Sequence, residues 1–373
     1  MSRSRIRQHA KKGVILCTLL LAVMLFQDGG TNIATGKRAV EGGMPSKPAS
    51  RPCCLLSSKR VLPWGMFPWV DYVFDLSEQL DHQYGAGTWS YVKRAEVNGQ
   101  GYTCSVGFVD LGHVRHVADL TYYYYGWLRE ATEPGDSLRT VGHDGLIEIA
   151  RHLPTDDLNM LVQIARSIAY DESIFYEIET YWSKLSGAHH SAFSPEDLVS
   201  NLVGTYVGKQ AIKYKQSRAV GFDTAVTKVL EKTLKRLGLL SAEQTRAALS
   251  KIDNVWFVGS SQSLDYLRRR NFGYDPVRPW RLEGVEGCAD HTLFLEPVRP
   301  FPQNLHDYYA VKYKLPRIYT NAVLRNRLEI SPGFRSLTES AKPIYVSSKE
   351  FAHHLARIKV HAKATYGPHF DQP

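Results

Sequence analysis

Residues 153–185, LPTDDLNMLVQIARSIAYDESIFYEIETYWSKL, constrain the fold more than any other stretch of this chain. With Leu161 at 0° and roughly 100° per residue, Ile164, Ala165, Ile168, Phe175 and Trp182 fall between about 300° and 40°. That stripe predicts a long helix laid on a core, with Thr155 as N-cap and acidic residues in the first turn. Glu172 falls at about 20° and Glu179 at about 0°, in the middle of the apolar arc. A buried carboxylate is costly unless it is paired, metal-bound or protonated. A kink near Ala169-Tyr170 would rotate the stripe and make Glu177 the inward carboxylate instead.

Start and stop signals place more helices around this one. In FSPEDLVSNLVGTYVGKQAI, Ser194 reads as N-cap, Pro195 as N1 and Asp197 as N3, with Asn201 facing the same way as Asp197. FDTAVTKVLEKTLKRLG runs from Asp223 to a terminal Gly238. Ser241 with Gln244, and Ser347 with Glu350, form capping-box patterns. Residues 55–105 are rich in Trp, Tyr, Val and Gly and read as strands and loops, with Asn98-Gly99 as a turn. DNVWFVGS, residues 253–260, reads as a short buried strand. The fold class expected is α+β, mainly α-helical, with a strand- and loop-rich N-terminal part.

The N-terminus has a different character. MSRSRIRQHAKK is basic, and the 14-residue run GVILCTLLLAVMLF is uninterruptedly apolar. It is shorter than the roughly 18 residues a membrane span requires, so residues 1–26 read as a signal peptide or a signal anchor. Residues 27–50 are Gly-, Ser- and Pro-rich and read as a flexible tether. One globular domain is expected over residues 51–373. The formal charge of +9 is concentrated in the leader: residues 1–40 hold seven Lys/Arg and one Asp, leaving only +3 for the rest. That argues against a nucleic-acid partner. Export to the periplasm or cell envelope follows, with membrane contact only through the N-terminal segment.

Once Cys17 leaves with the leader, Cys53, Cys54, Cys104 and Cys288 remain, an even set that suggests disulfides in an exported chain. Adjacent Cys53 and Cys54 make the worst bond sterically, so one of that pair with Cys104 is the preferred bridge. Charge is segregated: residues 110–200 carry 15 acidic and 6 basic side chains, residues 205–281 carry 15 basic and 6 acidic. Either the two segments face each other or form plain solvated surfaces, or a basic rim, densest at Arg268-Arg269-Arg270, draws an anionic envelope substrate.

The stretch VDLGHVRHVAD carries an ionisable residue at every third position: Asp110, His113, His116 and Asp119. Asp110 follows a strand-like TCSVGFV and reads as N-cap, so His113 is N3 and is kept neutral by the positive helix end. Steps of three residues lag by 60° each, which carries Asp110 and Asp119 to opposite sides. At most a neighbouring pair can hold one ion, and another element must supply the rest. This leaves two readings open. In one, His113, His116 and Glu179 ligate a divalent metal such as zinc, and Glu177 or Glu172 acts as general base on a bound water. In the other, the protein is a non-catalytic envelope protein, and these residues form a satisfied polar network. His189-His190, in the connection before Ser194, completes a site or lines a loop. No Walker loop and no GxGxxG is present, so no nucleotide cofactor is implied, and VGSSQS is not a nucleophile elbow.

RPCC at 51–54, GYTCSVGFVDLGHVRHVADLTYYYY, YEIETYW and SAFSPEDLVSNLVG together resemble domain-of-unknown-function family 4056. These are exported bacterial proteins often labelled as lipoproteins, and the resemblance spans most of residues 51–365. It implies an exported single-domain protein and carries over no catalytic residue. The chain departs from a lipoprotein pattern because bulky Leu16 precedes Cys17.

Overall fold

Asp110 ends a strand and starts a helix, and this junction organises the structure. Its carboxylate accepts the backbone N–H of His113 at 3.1 Å, the N-cap geometry expected of an Asp before an apolar-periodic run. In the computed structural model, residue 48 and residues 100–131, 133–141, 145–182, 192–252, 255–256, 267–288, 303–314 and 345–373 are described. The leader, the tether, Cys53, Cys54, the Asn98-Gly99 turn and His189-His190 lie outside them.

Strands β1 (Gln100–Thr103) and β2 (Gly107–Asp110) form an antiparallel hairpin that leads into helix α1 (Leu111–Glu130). TCSVGFV is therefore not one strand: residues 104–106 turn the chain, and Gly107 takes φ +78° against the Trp280 carbonyl, where a Cβ would sit 2.0 Å away. Strands β3 (Ser137–Arg139) and β4 (Gly145–Ile149) follow, then helices α2 (Leu158–Trp182), α3 (Asp197–Arg218), α4 (Phe222–Arg236) and α5 (Ala242–Ile252). Strands β5 (Tyr309–Lys314) and β6 (Tyr345–Ser347) close an antiparallel sheet in the order β3-β4-β5-β6, and helix α6 (Phe351–Tyr366) ends the fold. The architecture is α+β and mainly helical.

The core lies between α1, α2 and α3. Helix α2 is unbroken and begins later than Thr155 suggests, because Asp157 accepts the Met160 N–H at 3.0 Å. It has no single inward stripe: Glu172 and Glu177, about 140° apart on the helical wheel, are both buried, while Glu179 is half-buried. A helix surrounded by other elements buries more than one face. Helices α1 and α3 approach closely at Gly204 and Gly208. A Cβ on Gly204 would lie 2.7 Å from the Val114 carbonyl, and one on Gly208 would lie 2.8 Å from Thr121 Cβ. This small-residue seam sets the start of α3 against the start of α1.

The capping boxes at Ser241/Gln244 and Ser347/Glu350 form as expected. Helix α4 ends at a left-handed Gly238, φ +71°. Of the strand expected at 253–260, only Val255 and Trp256 lie among the described residues, and they form a turn. Cys104 bonds to Cys288, with Cα atoms 5.2 Å apart, which corrects the expected bridge to Cys53 or Cys54. The hairpin turn packs against Trp280 and Cys288. Arg270 is no part of a solvated rim. It is fully buried, donates to the Ala192 carbonyl and to the Tyr366 hydroxyl, and lies against the Tyr181 and Tyr366 rings. No helix among the described residues is long and apolar enough to cross a membrane.

Candidate metal centre

Three elements meet beside the first turn of α1. His113 enters from α1, Glu177 from the C-terminal part of α2 and Asp197 from the start of α3. One ligand-capable atom from each lies within 4.8 Å of the other two. All three side chains are buried, at 5%, 0% and 0% exposure. His113 Nε2 stands 3.4 Å from Asp197 Oδ1.

Each of the three is anchored by a second contact. His113 Nδ1 is 2.7 Å from Asn201 Oδ1, one turn along α3 from Asp197. Glu177 Oε2 accepts the Phe193 N–H, and Asp197 Oδ2 accepts the Ser194 N–H, both at 2.7 Å. The helix starts at Asp197 itself, with Glu196 rather than Ser194 in the cap position; Asp197 still takes the Ser194 N–H on one oxygen and turns the other to the histidine. Phe193 adopts φ +57°, a left-handed conformation that costs a non-glycine residue about 1–2 kcal/mol. Its N–H on Glu177 and its carbonyl, which accepts the Asn271 N–H, hold it there. Strain of this kind collects where a fold positions functional groups.

A further carboxyl borders the centre. Glu196 accepts from Gln100 Nε2 at 3.2 Å and from the Ser194 hydroxyl at 2.6 Å. Burial pushes this carboxyl up to about 8 against the Ser194 hydrogen bond; nearby Asp110 raises it further and His113 pulls it back.

The other residues singled out in the sequence take different places. Asp119 pairs with Arg115 at 2.9 Å, and Arg115 reaches on to Asp223. Asp110 caps α1, so the three-residue repeat is divided among a cap, a centre and an ion pair, as the 60° lag requires. His116 is half-buried and lies outside the group of three, as does Glu179. Glu172 accepts the Tyr124 hydroxyl and, at 2.9 Å, the Val141 N–H. Of the expected set, His113 and Glu177 come together. Asp197 reads in the sequence as a capping acid, and its second role had one signal: Asn201 four residues on, facing the same way.

The chain belongs to the family described as a protein of unknown function, DUF4056, which matches residues 44–267. His113, Glu177, Asp197 and Asn201 all fall inside the match. No curated protein and no solved structure matches the chain.

Proposed function

We propose that this is an exported cell-envelope protein in which His113, Glu177 and Asp197 hold a divalent metal such as zinc and use it to hydrolyse an envelope component. The observation that carries the reading is the anchored trio of buried donors. Two carboxylates and an imidazole offer one ligand atom each within 4.8 Å of one another, the donor types that hold a divalent ion. A divalent ion balances two carboxylates. Bond lengths of about 2.0–2.1 Å in a tetrahedral site imply a ligand–ligand edge of about 3.3 Å, beside the 3.4 Å between His113 Nε2 and Asp197 Oδ1. Zinc held by these three side chains would supply an acidified water for hydrolysis at about neutral pH. The basic n-region, the apolar run and the Cys104–Cys288 disulfide support export. The charge bias of residues 205–281 favours an anionic substrate.

Elemental analysis of protein purified without chelator tests the reading. One metal per chain is expected in the wild type and none in His113→Ala. A metal-free wild type, or a variant that keeps its metal, ends it.

The near-complete burial of the trio favours a second reading, in which the centre only ties α1, α2 and α3 together and no catalysis occurs. Stoichiometric metal without any chelator-sensitive hydrolysis of envelope polymers would select it.

A further inference from the structure

We infer that Asn201 is a positioning residue for this centre: its amide oxygen fixes the His113 tautomer that turns a lone pair toward Asp197. The inference rests on the metal reading above. An amide oxygen only accepts hydrogen bonds. With the amide oxygen rather than the amide nitrogen turned to the ring, the 2.7 Å contact between Asn201 Oδ1 and His113 Nδ1 calls for a proton on Nδ1. In a neutral imidazole, the opposite nitrogen then carries a lone pair and no proton. That nitrogen, Nε2, is the one facing Asp197 Oδ1 at 3.4 Å. A lone pair there can ligate a cation shared with the Asp197 carboxylate.

The backbone makes the contact dependable. Asn201 stands one turn after Asp197, so the helix that presents a ligand also presents the group that orients another ligand. The close approach at Gly204 and Gly208 keeps α3 pressed to α1 immediately beyond. His113 is additionally fixed at its backbone by Asp110. The imidazole is thus held by its ring, its main chain and the helix packing before any ion arrives. Partners of this type that orient a ligating histidine affect metal affinity by about 10–100-fold.

Two measurements on the full chain test this. The first is zinc affinity by competition with a chromophoric chelator, for the wild type, Asn201→Ala and Asn201→Asp. A loss of about 10–100-fold is expected for Asn201→Ala, and recovery for Asn201→Asp, whose carboxylate accepts the same N–H. Thermal melts of the chelated proteins check that the variants fold. The second is the ¹⁵N imidazole spectrum of chelated wild type at mildly alkaline pH. His113 is assigned among the 14 histidines by its loss in His113→Gln. A neutral ring protonated at Nδ1 is expected.

A wild type that takes no zinc overturns the metal centre and this inference with it. Zinc binding by the wild type with a folded Asn201→Ala of equal affinity overturns the inference alone. An Nε2-protonated ring or an imidazolium does the same, because Asp197 would then be receiving a proton rather than sharing a cation.

Discussion

On one side of α2, Glu172 meets a tyrosine hydroxyl and a backbone amide; on another, Glu177 meets a histidine and a second carboxylate. Both are buried, and both belong to the same helix. The Glu172 side is a network of donors. Tyr124 and Val141 supply protons to Glu172, while neighbouring Asp171 lies 2.8 Å from the Tyr309 hydroxyl and 3.0 Å from His306 Nε2. Burial and Glu172 together hold the Tyr124 hydroxyl well above its ordinary pKa, so it stays a donor. The Glu177 side has its own donors, the Phe193 and Ser194 N–H groups, but it also brings ligand atoms of two carboxylates and an imidazole within 4.8 Å of one another. The difference teaches what burial alone does not: on one side donors meet a single carboxylate, and on the other several groups able to ligate a cation converge.

The largest way to break the comparison is at Glu172. Replacing it by Leu strips the acceptor from the Tyr124 hydroxyl and leaves the Val141 N–H only the Tyr124 oxygen, 3.2 Å away, and about 1–3 kcal/mol of stability should be lost in urea unfolding. The loss should be the same with zinc or with chelator; dependence on metal would mean that the two sides are not separate. A more specific effect is expected from Glu177→Gln. The amide retains an oxygen for the Phe193 N–H but removes a charge. Zinc at about 100-fold its Kd should stabilise the wild type by about 2.7 kcal/mol and the variant not at all. Equal zinc responses would remove Glu177 from the centre.

The smallest effect separates the sides by pH. Burial opposes a charge on His306, but the hydrogen bond and charge of Asp171 outweigh it, and its pKa is raised above the usual value. A raised histidine contributes stability that is fully present below its unfolded pKa, near 6.5, and is lost as pH rises through the folded value. The side chain is about one-third exposed, 32%, so the step should stay below about 1 kcal/mol. Urea midpoints across pH 6 to 8 should show it, and Asp171→Asn should erase it while leaving zinc binding untouched.

Much of the secondary structure was legible because its signals are local. Asp110, Ser241 with Gln244, and Ser347 with Glu350 cap helices through hydrogen bonds three residues apart, which a sequence displays directly. Wheel geometry also ruled out a four-ligand site on one helix. It could not choose among Glu172, Glu177 and Glu179, because periodicity gives angles on a helix and not the number of neighbours around it. Thr155 lost the cap to Asp157 for a similar reason: several cap-competent residues stood in a row, and packing selected one. Asp197 was legible as a cap but not as a companion of His113, since that meeting depends on α3 lying against α1. The Cys104 partner lay 184 residues away, a separation no local pattern encodes.

That covalent link has a consequence for how the molecule fails. Every residue of the proposed centre lies between Cys104 and Cys288, so the whole site sits on a closed ring of polypeptide. A single proteolytic cut anywhere on that ring opens the chain without releasing a fragment. The nicked protein would migrate as one species on a non-reducing gel and as two on a reducing one. Damage to the ring in an oxidising compartment therefore need not scatter the residues that His113, Glu177 and Asp197 require.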